Sequence, residues 1–283
     1  MYRRTLVLLA ALAAALVAVS LSAAAHSQQV KKHRYPHRII SLSPTMTEDL
    51  FAIGAGKQVV AVDQDSDYPK SAPRTKLSGL QPNAEAISKY HPDLVVVSYG
   101  GKYIQQLKKL GIRVVDEPAP ATLSGAYAEI KNLGRITGHL SRAKALVSSM
   151  TRKLATIVAG VPASHRHFSV YHELDPTYYS ATSATFIGKI YKLFGFSNIA
   201  DAADTQHTGY PQLSAEYILQ ANPQVIVLTD GQTPAQAAAR PGWDQIDAVK
   251  NNRVVDVDAS IASRWGPRIV DFARAIAAVA KKG

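Results

Sequence analysis

The chain has 283 residues, 47% of them apolar and 19% charged, with a formal net charge of +11. That length and composition fit one large globular domain or two modest lobes and exclude a disordered chain. The absence of cysteine excludes disulfides, thiolate metal sites, a cysteine nucleophile and lipid attachment through cysteine.

The N-terminus reads as an export signal. Arg3 and Arg4 precede an uncharged, Leu/Ala/Val-rich run from Thr5 to Ala25. Ala23-Ala24-Ala25 supplies the small residues of a cleavage site, placing the cut before His26. The run also approaches the ~20 residues that span a bilayer, so an uncleaved anchor is the alternative. Either way the folded part lies outside the cytoplasm. Residues 26–37 read as a basic tail. Export makes nucleic acid an unexpected partner despite the positive charge.

A first strand is expected at Arg38 to Leu42. Ser43-Pro44 leads into a helix in which Thr45 and Glu48 have capping-box spacing, and Gly54-Ala55-Gly56 ends it. Gln58 to Val62 reads as a second buried strand. Then comes Asn83-Ala84-Glu85-Ala86-Ile87, followed by Pro92-Asp93 and the apolar run Leu94 to Val97. The asparagine caps a short helix, the proline stops it, and the run makes a strand buried on both faces. A helix over Tyr103 to Leu110 and a strand over Arg113 to Asp116 complete the alternation of a parallel sheet.

From Leu123 to Gly160 no strand is expected. One helix runs to Ile136. A second starts at Ser141 and ends at Gly160-Val161-Pro162. Alternation then resumes with a strand at Phe168 to Leu174 and a helix at Phe186 to Phe194. Ser214-Ala215-Glu216-Tyr217-Ile218, Pro223 and Val225 to Leu228 repeat the earlier helix-proline-strand at identical spacing. A broken helix over Ala235 to Lys250, a strand over Arg253 to Val257 and a helix over Pro267 to Lys281 finish the chain. The economical reading is α/β: two Rossmann-like lobes, 38–140 and 162–283, joined by one long helix at 141–161, with a crevice between them.

Loops at the carboxyl ends of these strands carry Tyr68, Tyr99, Tyr178, Tyr179, Tyr210, Arg264, Trp265 and Arg268. Tyrosine offers a flat apolar face and one hydroxyl, which suits a large, flat, partly polar ligand. The chain has 13 tyrosines against 6 phenylalanines. No phosphate loop, metalloprotease motif or nucleophile elbow is present. His165, His167 and His172 do not by themselves specify a metal site. His172-Glu173-Leu174-Asp175 reads as a strand end rather than an acid/base pair. The chain is therefore expected not to be an enzyme. An exported α/β enzyme using the same crevice is the alternative.

With these residues in hand, the sequence resembles the substrate-binding proteins of ABC importers for vitamin B12, haem and ferric siderophores, with cobalamin-binding members most alike. The resemblance is carried by Arg38-Ile39-Ile40-Ser41-Leu42-Ser43-Pro44 with Thr47-Glu48, then Ser66-Asp67-Tyr68-Pro69 and Glu85 with Pro92-Asp93-Leu94-Val95. Gly111-Ile112-Arg113-Val114, Pro211-Gln212-Leu213-Ser214-Ala215-Glu216 and Pro267-Arg268-Ile269 complete it. It implies two lobes bridged by a helix, no resident cofactor, and a corrinoid or iron chelate held between the lobes by Tyr68, Tyr99, Tyr178, Tyr210, Trp265 and Arg268. It also implies a monomer that delivers its ligand to an ABC permease dimer with its ATPase, docking through Glu85 and Glu216. Where cobalamin-binding relatives place tryptophans, this chain has Gly79, Tyr99 and Tyr210. The basic charge with Arg264 and Arg268 would suit an anionic siderophore. The missing cysteine predicts a free periplasmic or membrane-anchored protein that is not a lipoprotein.

Overall fold

The computed structural model describes residues 35–282. The signal segment and nearly all of the basic tail lie outside the described residues.

Two four-stranded parallel sheets carry the fold. The first is built from β1 (Ile39–Leu42), β2 (Val59–Val62), β3 (Leu94–Val97) and β4 (Arg113–Asp116), in the order β2-β1-β3-β4. The second is built from β5 (Ser169–Glu173), β6 (Ser197–Asn198), β7 (Val225–Leu228) and β8 (Val254–Asp256), in the order β6-β5-β7-β8. Strand order is thus the same in both sheets, and no strand passes between them among the described residues. In each the order reverses between the first and third strands. That is where ligands bind in open α/β sheets, outside the carboxyl ends of the strands.

The repeated segments occupy equivalent places. α2 (Ala84–Ser88) precedes β3, and α7 (Ala215–Ala221) precedes β7. Asn83 Oδ1 accepts from the Ala86 N–H and Ser214 Oγ from the Tyr217 N–H, as the caps predicted. The exits differ from the simple expectation that proline forces its predecessor into extended backbone. His91 and Asn222 leave their helices with φ of 48° and 44°, the left-handed region that histidine and asparagine enter more readily than most residues.

Between the sheets in sequence lie α4 (Leu123–Thr137) and α5 (Leu140–Ala159), following α3 (Lys102–Lys109). α4 starts on Thr122, whose hydroxyl accepts from the Gly125 N–H, and ends at Gly138 with φ of 84°. α5, a single helix of 20 residues, packs on α4 on one side and on the last helix, α11 (Ile269–Ala280), on the other. The remaining helices are α1 (Pro44–Ala52), α6 (Phe186–Leu193), α8 (Pro234–Ala238), α9 (Asp247–Lys250) and α10 (Ala259–Ser263). The helix expected over 235–250 is two short pieces separated by a turn around Trp243. β6 and α10 were not expected at all.

Strand alternation divides the interior into three cores. Leu94 and Val96 of β3 face a core shared with Val225 and Val227 of β7, reached through Ile130 and Leu133 of α4 and Met150 and Leu154 of α5. Val95 and Val97 face a separate core with Leu107, and Ile226 and Leu228 face a third with Trp243. The inner faces of the two sheets therefore belong to one continuous apolar body. Moving one lobe against the other would open that body to water, at about 25 cal/mol per Å² exposed.

The α4–α5 contact is close. A methyl placed on Gly134 would lie 2.5 Å from Ala143 Cβ. Gly134→Ala gains about 1 kcal/mol in helix propensity, but overpacking a filled contact costs about 1–3 kcal/mol. We expect the clash to dominate, with a net loss of up to about 2 kcal/mol in urea unfolding; a stabilised variant would show that the two helices part without cost.

Candidate ligand crevice and lobe junction

β1 ends in a knot of hydroxyls. Thr47 donates to Ser41 at 2.9 Å and lies 2.8 Å from Ser66 Oγ, and Ser98 donates to Ser43 at 2.7 Å. Ser43, not Thr45, caps α1 by accepting from the Met46 N–H. Pro44 takes the first helical position, where its missing N–H costs nothing. The expected Thr45–Glu48 capping box is therefore corrected: with Ser43 as cap, Glu48 falls one turn into the helix and is turned toward the other lobe.

Glu48 is 2% exposed. Its Oε1 accepts from Arg264 Nη1 at 2.8 Å and from Arg268 Nη2 at 2.6 Å, and its Oε2 accepts from Arg268 Nε at 2.9 Å. Arg264 Nη1 also donates to Asp67 Oδ1 at 2.8 Å, and its Nη2 donates to the Asp65 carbonyl at 3.0 Å. Partial burial pushes the Asp67 carboxyl up, but the Arg264 hydrogen bond and charge outweigh it and leave it below its usual range. Arg268 lies with its guanidinium carbon 4.5 Å from the Tyr68 ring centroid. The hydrogen bond to Glu48 outweighs burial and raises its already high pKa.

Beside this charged cluster are two carboxyls without cations. Asp49 is 1% exposed, and neither of its oxygens has a hydrogen-bond partner. Burial, then the carboxyls of Glu129, Glu48 and Glu117, drive its pKa well up. Glu129 accepts from Trp265 Nε1 at 3.0 Å through Oε2, while Oε1 has no partner. Burial raises its pKa to about 8, against the pull of the Trp265 bond and with a further push from Glu117. Gly266 passes over this pair; a methyl there would sit 3.3 Å from Asp49 Oδ1.

The six residues expected around one crevice fall into four settings. Tyr68 and Arg268 line a cavity of about 400 Å³ at the lobe junction, with Glu48, Phe51, Pro69 and Pro267. Tyr210 lines a cavity of about 460 Å³ on the second lobe, with Tyr179, Asp204 and Thr208. Its hydroxyl pKa is raised by burial and then by Tyr99, which sets a ring from the first lobe within electrostatic reach of one from the second. Trp265 is tied to Glu129. Tyr178 packs inside the second lobe, stacked on Trp243 with centroids 6.2 Å apart and under Arg240. Arg240 is in turn bound to buried Glu173 at 2.7 Å. Tyr68, Tyr99, Tyr179 and Tyr210 are 41–58% exposed, so four rings remain available at the strand ends.

Other candidates have structural partners. His172 is buried, 2.6 Å from the Tyr191 hydroxyl, and burial lowers its pKa to about 3. His165 meets the Ala280 carbonyl at 2.8 Å and stacks on Phe168. Among the described residues no group of three or more His, Asp or Glu side chains converges as a metal site. Glu85 and Glu216 are exposed and sit at the same second position of α2 and α7. Glu85 pairs with Lys89 at 3.3 Å. The Glu216 carboxyl is held below its usual range by its own backbone N–H and by Ser214.

Sequence reasoning missed Glu48, Asp49 and Glu129 as junction residues. Glu129 had a signal: it falls among Ala126, Ile130 and Leu133 on the apolar side of α4, where an acid is out of place.

Comparison with known proteins accounts for this architecture. The model of the periplasmic binding protein family matches residues 39–261. The chain is 33% identical over 257 residues to the ABC transporter substrate-binding lipoprotein YvrC of Bacillus subtilis, covering 87% of this chain and 81% of that one. It is 31% identical to a cobalamin-binding protein of Halobacterium salinarum, covering 83% and 67%. A crystal structure of a possible iron-binding, periplasmic solute-binding protein from Staphylococcus epidermidis superposes with a TM-score of 0.74 at 30% identity, covering 87% and 99%. The chain belongs to the periplasmic binding protein family. The lipoprotein relative corrects one expectation. The absence of cysteine predicts a protein that is not a lipoprotein, and the 33% identical relative named a lipoprotein overturns that expectation.

The buried Glu129 gives a pH signature. Because the folded-state pKa of Glu129 is raised, its stabilising contribution is full below the unfolded value near 4.5 and is lost as pH rises through about 8. Glu129→Gln keeps an acceptor for Trp265 and removes the titration. Relative to wild type, the variant should therefore gain stability between pH 5 and pH 8.5 in urea unfolding; a constant difference across that range would place the charge elsewhere.

Proposed function

We propose that this periplasmic binding protein is the extracytoplasmic substrate-binding component of an ABC importer, capturing a metal-chelate macrocycle between its lobes and delivering it to a permease dimer with its ATPase. It works as a monomer and binds rather than transforms its ligand. The lobe boundaries 38–140 and 162–283, bridged by 141–161, are the working division.

One observation carries the choice of ligand. The rings that remain exposed are tyrosines, and the arginines beside them are already neutralised. Among the described residues Arg268 is the one cation lining the two cavities, and it is bound to Glu48. Arg264 and Arg268, expected to suit an anionic siderophore, are both paired with carboxylates of the protein. Stacking rings and hydroxyls without free positive charge suit an uncharged, amide-rimmed corrinoid. The cobalamin-binding name of the Halobacterium salinarum relative supports that reading. Haem or a ferric chelate is the second reading, because Tyr99 and Tyr210 are exposed phenols and tyrosine ligates ferric iron.

Visible titration of the protein with cyanocobalamin, haemin and a ferric siderophore discriminates these readings. We expect saturable binding of cyanocobalamin. A buried aromatic contact adds about 0.5–1.5 kcal/mol, so Tyr99→Ala and Tyr210→Ala should each weaken it roughly two- to tenfold. Unchanged affinity in both variants would remove these rings from the site.

Glu85 and Glu216, one per lobe at equivalent helix starts, suit a receptor with two equivalent basic patches. Glu85→Ala combined with Glu216→Ala should abolish ligand uptake in cells while leaving the spectroscopic titration unaltered. Loss of ligand binding in that double variant would make them site or folding residues.

A further inference from the structure

The charge cluster at the lobe junction has a consequence for selectivity. Glu48 and Asp67 supply two negative charges and Arg264 and Arg268 two positive ones, all within direct hydrogen-bonding distance. The sum is neutral, and each guanidinium has three of its five N–H donors engaged. Arg264 uses Nη1 on two carboxylates and Nη2 on the Asp65 carbonyl. Arg268 uses Nε and Nη2 on Glu48, with Nη2 also on Ser260 at 3.1 Å. Its guanidinium plane is occupied as well, by the Tyr68 ring. Yet Arg268 and Tyr68 both line the junction cavity. A guanidinium is therefore placed where a chelate's carboxylate would meet it, and then cancelled from behind by a buried acid.

We propose that Glu48 is a specificity-determining residue of the crevice, holding Arg264 and Arg268 in a neutral cluster and so withholding them from anionic chelates. The inference rests on the reading of the crevice as a chelate site. It differs from a purely structural role for Glu48 because it requires a gain of binding when the acid is removed. Bidentate Arg–carboxylate pairs are among the strong, geometry-defining contacts in proteins. A ligand carboxylate cannot compete with one already made inside the protein, where both partners are pre-positioned. Replacing the acid by its neutral isostere removes the one carboxylate bonded directly to Arg268, leaving only the more distant Asp258 and Asp67 to offset its charge at the cavity wall.

The test compares wild type with Glu48→Gln, using haemin, with its two propionates, and ferric citrate as anionic probes and cyanocobalamin as the uncharged one. In Glu48→Gln the affinities for haemin and ferric citrate should rise about tenfold relative to that for cyanocobalamin, and should rise in absolute terms. Adding Arg268→Gln to that variant should erase the gain. Anionic probes bound no better than by wild type, or all three probes lost together from a folded variant, would overturn the proposal. If Glu48→Gln does not fold, Asp67→Asn serves. Asp67 is 41% exposed and holds only Arg264, so a smaller rise of the same sign is expected, and no rise again overturns it. Wild type binding cyanocobalamin with no gain in either variant would sink this inference and leave the ligand reading standing. Wild type binding none of the three, with a gain of anion binding in Glu48→Gln, would do the reverse.

Discussion

A carboxylate buried in the first helix and two guanidiniums from the last loop fix how the lobes meet. Glu48 could not be charged at that depth alone; an uncompensated buried ion costs several kcal/mol. It is charged because Arg264 and Arg268 arrive from the other end of the chain and saturate both oxygens. The pairing is not a large net source of stability, since desolvation offsets much of the attraction. Its effect is geometric. Five hydrogen bonds of defined direction join α1 and the Asp65–Asp67 segment to the Arg264–Arg268 segment. The nonspecific part of the adhesion comes from the apolar body that runs through α4 and α5 into both sheets. Together these make a junction that is held in register rather than hinged on a flexible linker.

The internal repeat sets where that junction can be. Each lobe is the same four-strand order with its reversal between the first and third strands, and each third strand is fed by a capped short helix, a left-handed residue and a proline. The carboxyl ends of the two sheets then carry one set of loops from each lobe, with Tyr99 in the first and Tyr210 in the second. The same symmetry puts Glu85 and Glu216 at matching helix starts.

Much of this was legible in the sequence because the signals were local. Apolar runs such as Leu94–Val97 and Val225–Leu228 are strands by composition, and Asn83 and Ser214 announce helix starts. The strand-free stretch around α4 and α5 is visible as a change of rhythm. What was not legible depends on partners distant in the chain. Glu48 fits a capping-box pattern with Thr45 as well as it fits a salt bridge, and nothing local reveals Arg264. Tyr178 looks like any other loop tyrosine until Trp243 and Arg240 are folded against it. β6, two residues long, has no periodicity to read. The break expected at Pro241-Gly242 is present, and α8 and α9 lie on either side of it.

The junction also shows how a scarce supply of cations partitions charge. Four carboxyls, Glu48, Asp49, Glu117 and Glu129, crowd the first-lobe side, and the loop covering them brings two arginines and one indole N–H. Both arginines go to Glu48, the acid that can present two oxygens along their approach. Glu117 is left with Asn132 and Glu129 with the weaker indole donor. Asp49 gets nothing, and burial raises its pKa well up. A neutral acid beside a saturated ion pair is less costly than two charged acids sharing the same cations, because like charges at that spacing in a poorly solvated site repel strongly. The raised pKa values of Asp49 and Glu129 thus go with giving Glu48 both arginines. The charge balance at the crevice and the pH sensitivity of the junction are two expressions of one allocation.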